Sequence, residues 1–232
     1  MIKSAILVEL QEVMGGDVSI AHSAWVSTYD KDKRDANSID LNRVNSLVER
    51  LIKEKHGVPL ESVVFRFWCR IPIYIDRQIV THRIASTNGL SLRYRTAPSD
   101  YLHIPSDVNE ILNKTGDTIN FNEDYNNLCS AANEVYLSHL EDLKKGEKKG
   151  LITNKEYKRC REVLRGMLPL ANMTERVITI NLRSFANFVK LRLSEHAQPE
   201  IKQVAELMLA EVEKVNNCPM AIKALKEVGW RI

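Results

Sequence analysis

A chain of 232 residues is long enough for one domain with a full core, and 44% apolar with 27% charged residues is an ordinary globular composition. A net charge of +3 is too small to argue for a nucleic-acid binder by itself, and no apolar run approaches the roughly eighteen residues needed to span a bilayer. Cys69, Cys129, Cys160 and Cys218 stand far apart without CxxC spacing and no HExxH occurs, so neither a zinc site nor a disulfide framework is indicated.

The opening Met1 to Glu9 turns acidic after a short apolar stretch, which reads as a first strand rather than a secretory signal and makes the cytoplasm the expected compartment. The expected strand runs over residues 1–15, with Gly15, Gly16 and Asp17 forming a turn and helix cap. Apolar residues at Leu41, Val44, Leu47, Val48, Leu51 and Ile52 predict a helix from Leu41 to Lys55 with one buried face. Glu61 to Ile71 suits a strand, and Pro72 suits the first turn of a helix running through Arg77, Gln78 and His82. Asn88 and Gly89 predict a turn into an extended segment from Leu90 to Tyr94. The second half is read as helical: Asp124 to Leu143, a charged linker over Lys144 to Lys149, then Lys155 to Leu168 stopped by Pro169. A short β-branched run from Val177 to Leu182 precedes helices over Ser184 to Leu193 and Pro199 to Val215. The expected fold is α+β: one mixed domain over residues 1–232, with an antiparallel or mixed sheet and a helical C-terminal half.

The chemistry concentrates in Arg77 to Arg95, which holds four arginines, His82, Gln78, Asn88 and several hydroxyls, with no acid inside it. Planar guanidinium donors match phosphate oxygens, and Gln or Asn can read a pyrimidine edge, so the stretch suits an anionic nucleotide. A basic helix and strand on a solvated face would have the same composition. A nucleic-acid-binding module is the other open class, but the stretch lacks lysine and offers only Tyr94 for stacking. A second polar set comprises Arg165, Asn181, Arg183, Asn187, Arg192 and His196, equally open to a reading as surface decoration. Arg183 and Asn187 share a helix face, and Asn181 lies just ahead of an N-terminus able to attract anions.

The stretch Thr81 to Ser91 resembles the signature of the flavin-dependent thymidylate synthases, Arg-His-Arg, seven residues, then Ser. Other blocks agree in order: Met14 to Asp17; His56 with Pro59, Leu60, Glu61, Phe65 and Phe67; Arg161 to Leu170; and Asn181 to Ile201. The resemblance implies that Gln78, Ser91, Leu92 (through its backbone) and Arg93 hold deoxyuridylate, with Arg165 reaching its phosphate from another subunit of a homotetramer. It implies that Arg192 contacts the uracil ring and favours its N3-deprotonated form. His82, Arg83, Asn181, Arg183 and Asn187 would surround FAD, with Thr81, Gly89 and Val58 at further cofactor positions and His56 and Glu61 lining the flavin and folate side. Methylenetetrahydrofolate and NADPH are the implied co-substrates; no metal, membrane or nucleic acid is.

None of the cysteines has the Pro-Cys setting that a pyrimidine-attacking nucleophile would have, and Ser91 reads as a ligand because a serine nucleophile needs an adjacent base. The chain departs from the pattern at Thr81 (usually Arg), Gly89 (usually Glu), Val58 (usually Ser or Thr), Ser62 (usually His) and Trp25 (usually Arg). These changes leave room for a related folate-dependent reaction, methylation or hydroxymethylation of another pyrimidine nucleotide.

Overall fold

The computed structural model describes residues 2–27, 40–97, 101–105, 107–115 and 120–232. Met1, the first residue of the expected opening strand, lies outside them. The chain divides into two compact units, one formed by Met1–Ile6, Arg70–Arg77 and Gly89–Glu175, the other by Leu7–Cys69, Gln78–Asn88 and Arg176–Ile232.

The opening strand is interrupted. β1 (Ile2–Lys3) pairs in parallel with β5 (Tyr101–Leu102), while β2 (Leu7–Met14) joins a four-stranded antiparallel sheet of order β2-β3-β6-β4. β3 (Val64–Pro72) buries Phe65, Phe67, Cys69 and Ile71, the period-two pattern of a strand with one face in the core. It begins later than expected because Pro59 opens a short 3-10 turn over Val58–Ser62, which the Ser62 hydroxyl closes by donating to Pro59 O at 2.7 Å. β6 (Met173–Asn181) and β4 (Ser86–Gly89) complete the sheet.

In the second unit, Gly15 takes a φ of +81° at the turn after β2, and the Ser19 hydroxyl accepts the Gly16 N–H at the start of α1 (Asp17–Trp25). Asp17 is buried and accepts N–H bonds from Met220 and Ala221, so one carboxylate caps α9 (Pro219–Glu227), a helix the sequence reading missed. Burial pushes the Asp17 carboxyl up, and beside it the buried Cys218 thiol is pushed up to about 12, chiefly by desolvation. α2 (Leu41–Lys53) buries Val44, Val48, Leu51 and Ile52 as its spacing requires. α7 (Leu182–Arg192) and α8 (Pro199–Val215) follow the sequence pattern closely. Phe185 of α7 meets Phe65 and Phe67 at ring separations of 5.4 and 5.9 Å, an aromatic core beneath the helix.

In the first unit, α5 (Phe121–Lys148) buries Cys129, Asn133, Tyr136 and Leu140 on one face. The expected linker over Lys144 to Lys149 is instead the last turns of this helix, because good helix formers continue and Lys145 pairs with Glu141 one turn back at 3.2 Å. Asn133 and Asn172 exchange two amide hydrogen bonds, at 3.0 and 2.7 Å, inside an otherwise apolar region. α4 (Val108–Asn113) is short, and α6 (Asn154–Leu164) starts at a Thr153–Glu156 capping box and ends in a 3-10 turn over Arg165–Met167.

Two expectations between the proline and the nucleotide motif are corrected. α3 (Ile73–Val80) begins just after Pro72 and stops before His82, because the Thr81 hydroxyl turns back onto Gln78 O at 2.8 Å and the His82 N–H onto Ile79 O. The strand precedes the turn, not the reverse: β4 pairs first, Leu90 N–H bonds Glu175 O, and the chain then turns as Tyr94 and Arg95 donate to Ser91 O.

Candidate active site

α7 organises the principal cleft. Asn181 accepts the Ser184 N–H at 2.9 Å and so caps the helix, whose first turn is fixed to the strand end by the Leu182 N–H on Val63 O. Successive turns of α7 then present Arg183, Asn187, Lys190 and Arg192 to a cleft of about 610 Å³, whose other wall carries Thr81, His82, Arg83 and Ile84. Trp230 and Ile232 line it as well. Arg83, Arg183, Lys190 and Arg192 contribute four cations and no lining residue has an acidic side chain.

Each polar side chain is held differently. Arg183 pairs with Glu61 at 2.8 Å, and Gly57 leaves the space this needs: a β-carbon there would stand 2.8 Å from Arg183 Nε. His82 packs edge-on against Phe188 at 4.9 Å, and its Nε2 is buried without a hydrogen-bond partner among the described residues. Desolvation, helped by the Arg192 charge, holds His82 below the ordinary imidazole range, so the ring is neutral at physiological pH. Arg192 donates through Nη2 to Gln78 O at 3.0 Å and through Nη1 to Gln78 Oε1 at 3.4 Å, while its Nε is buried without a partner. Burial lowers its pKa, yet a guanidinium stays protonated under all ordinary conditions.

Of the residues expected around the cofactor, Thr81, His82, Arg83, Arg183 and Asn187 therefore share one cleft, with Asn181 capping its helix and Glu61 attached through Arg183. His56 and Val58 line a different hollow of about 660 Å³, together with Trp25, Arg43 and Arg50; Arg43 lies 5.3 Å over the Trp25 ring. Gln78 and Arg192 are in contact. The remaining residues expected to bind nucleotide lie in the first unit. There Ser91 heads the turn that follows β4, Leu92 packs on the cluster of Ala97, Tyr136 and Leu140, and Arg93 pairs with Glu162 at 2.7 Å. Arg165 is exposed on the 3-10 turn, and Gly89 ends β4. Lys190 and Trp230 were missed; Lys190 stands seven residues after Arg183 on the same helix face, a signal open to inspection, whereas Trp230 follows α9 and no periodicity points to it.

Such a cleft, cationic, lined by aromatic and amide groups and holding two buried polar atoms without partners, fits a large anionic heteroaromatic ligand, and a flavin dinucleotide meets that description. The class is thus an α+β protein with a cationic cleft whose lining suits a nucleotide-like anion. The chain belongs to the flavin-dependent thymidylate synthase family: the family model described as "Thymidylate synthase complementing protein" matches residues 9–219. A flavin-dependent thymidylate synthase of Kosmotoga olearia is 33% identical over 237 residues, covering 96% of this chain and 91% of the relative. One from Thermotoga neapolitana is 33% identical over 225 residues, covering 97% and 92%. Among solved structures, the UMP/dUMP methylase PolB from Streptomyces cacaoi bound with 5-Br dUMP superposes with a TM-score of 0.73 at 25% identity, covering 98% of this chain and 97% of that one. The protein is accordingly an enzyme of a methyltransferase family that uses FAD. Among the described residues, no helix is long and apolar enough to cross a membrane and no cluster of side chains suits a metal ion.

Proposed function

We propose that the protein converts deoxyuridylate to thymidylate by reductive methylation, with residues 1–232 acting as one catalytic domain of a cytoplasmic homotetramer. FAD, when bound and reduced, supplies the hydride; methylenetetrahydrofolate supplies the carbon and NADPH the reducing equivalents. The observation that carries this reading is the gathering of His82, Arg83, Arg183, Asn187 and Arg192 in one cleft with no acidic side chain among its lining residues.

Arg83 and Arg183 hold the dinucleotide's phosphates through planar donors, and Asn187 and Asn181 bind its polar edges with their amides. Neutral His82 keeps one ring nitrogen as a hydrogen-bond acceptor, which a protonated ring, a donor at both nitrogens, would not. Arg192 faces the pyrimidine, where its charge favours the N3 anion and makes C5 electron-rich without a covalent nucleophile. Gln78 binds the nucleotide beside it, with Ser91, the Leu92 backbone and Arg93. The exposure of Arg165 supports its reaching a neighbouring subunit's substrate phosphate. His56, Val58 and Glu61 line the flavin and folate side, and Thr81 and Gly89 border the flavin.

A second reading, action on another pyrimidine nucleotide, is favoured by the likeness to PolB, a UMP/dUMP methylase, and by the loss of the usual acid at Gly89. The purified protein's visible absorbance, with FAD added if it is colourless, tests both. Flavin bands that respond to deoxyuridylate, followed by thymidylate formation with methylenetetrahydrofolate and NADPH, are the expected result. Absence of flavin binding overturns it; flavin binding with a preference for another pyrimidine nucleotide selects the second reading.

A further inference from the structure

We infer that Gln198 is a positioning residue for Arg192, acting through Gln78; the inference rests on the reading that Arg192 faces the pyrimidine. A guanidinium has five N–H donors and no acceptor, so every Gln78 atom that Arg192 meets must be an oxygen. Arg192 meets two, the backbone carbonyl at 3.0 Å and Oε1 at 3.4 Å. The Gln78 amide is thereby turned with its oxygen toward Arg192 and its NH₂ away, and that NH₂ donates to Gln198 Oε1 at 2.8 Å. The orientation of both glutamine amides follows from the one positive charge.

The local structure around Gln198 frees its side chain for this contact. It is the residue before α8, in extended backbone (φ −58°, ψ 137°), where a side chain commonly accepts a first-turn N–H. Gln198 makes no such cap, and Pro199 after it has no N–H to satisfy. Its backbone carbonyl takes the Lys202 N–H, and Ile201, Val204, Ala205 and Met208 bury the helix behind it. The acceptor offered to Gln78 therefore stands on a fixed base. Two points of attachment on Gln78 set the plane of the Arg192 guanidinium, whose buried Nε–H has no partner among the described residues. Without the Gln198 acceptor, the Gln78 side chain loses one of its two anchors and is freer to swing away from the guanidinium.

Because Gln198 is exposed and caps nothing, its replacement leaves the fold intact. The test compares Gln198→Leu, Gln198→Glu and Gln198→Lys for folding midpoint, FAD affinity and steady-state turnover of deoxyuridylate. Gln198→Leu is expected to lower kcat/KM by about tenfold, the size of one hydrogen bond, mainly through kcat, with unchanged midpoint and FAD affinity. Gln198→Glu, which keeps an acceptor, restores most of the loss; Gln198→Lys, a donor only, does not. The double variant Gln78→Ala with Gln198→Leu is no worse than Gln78→Ala alone. Wild-type turnover in Gln198→Leu, equal rescue by Lys and Glu, or additive losses in the double variant would each overturn the inference. If wild-type protein shows no flavin response to deoxyuridylate, the functional reading fails instead. The positioning claim is then decided on the unliganded protein by NMR of the Arg192 guanidinium, whose rotation is expected to be slow in wild type and faster in Gln198→Leu; equal rates refute it.

Discussion

The arginines that follow β4 in the first unit and the cations of the α7 cleft in the second are balanced differently. In the first unit, Arg93 pairs with Glu162, and Glu175 takes Arg70 at 3.1 Å and Arg95 at 3.9 Å. In the second, the α7 cleft holds Arg83, Arg183, Lys190 and Arg192 against a single carboxylate, Glu61, and two polar atoms beside them stay buried without partners. A compensated arginine exchanges one anion for another when a ligand arrives and gains little. An uncompensated one in a half-buried cleft gains the full interaction, so the second unit is where ligand binding should have most effect.

Four experiments test that contrast, and the largest effect belongs to Arg192. Arg192→Ala is expected to lower kcat by about 10²–10³, as for other preorganised transition-state donors, while FAD binding largely persists; an equal loss of both would make it a cofactor ligand instead. Next comes a control in the first unit. Asn133→Leu strands the Asn172 amide and should cost up to about 3 kcal/mol of stability by denaturant unfolding, leaving flavin affinity unaltered in the folded fraction. Arg83→Ala, titrated with FAD, should weaken binding roughly 10-fold to 100-fold, the range for a charged hydrogen bond, whereas Arg93→Ala should leave FAD affinity within about threefold because its charge already has a partner. The contrast fails if both arginines matter equally to FAD.

The smallest effect concerns pH. The His82 pKa is lowered in the folded protein, so below the ordinary imidazole value the unfolded chain binds more protons and stability falls as pH drops toward the folded pKa. His82→Gln should flatten that acid-side slope of the unfolding free energy between neutral pH and about pH 5, measured by denaturant titration at each pH. A slope unchanged by the substitution would mean that the ring is not desolvated in solution.

Much of the fold was legible in the sequence, and the elements show why. α2, α7 and α8 follow directly from apolar spacing, since a helix that buries one face writes a period of 3.6 into its residues. β3 was legible for the same reason at period two. Tertiary contacts overrode the local signal elsewhere. Lys144 to Lys149 is charged enough to read as linker but continues α5, and Leu90 to Tyr94 turns because β4 finds its strand partner first. α9 is anchored by a carboxylate some two hundred positions away in sequence, from Asp17, and nothing local announces that.

The same division holds for the site. The resemblance of the motifs to the family signature implied His82, Arg83, Arg183, Asn187 and Arg192 together, and the fold gathers those five in one cleft. Only the folded structure decided that His82 is neutral, that Arg183 is shared with Glu61 across the space left by Gly57, and that His56 and Val58 line a separate hollow. It also decided that Gln78 is gripped by Arg192 on one side and Gln198 on the other. Residue type sets which interactions are possible; burial and through-space distance, which depend on contacts more than a hundred residues apart, set which are made.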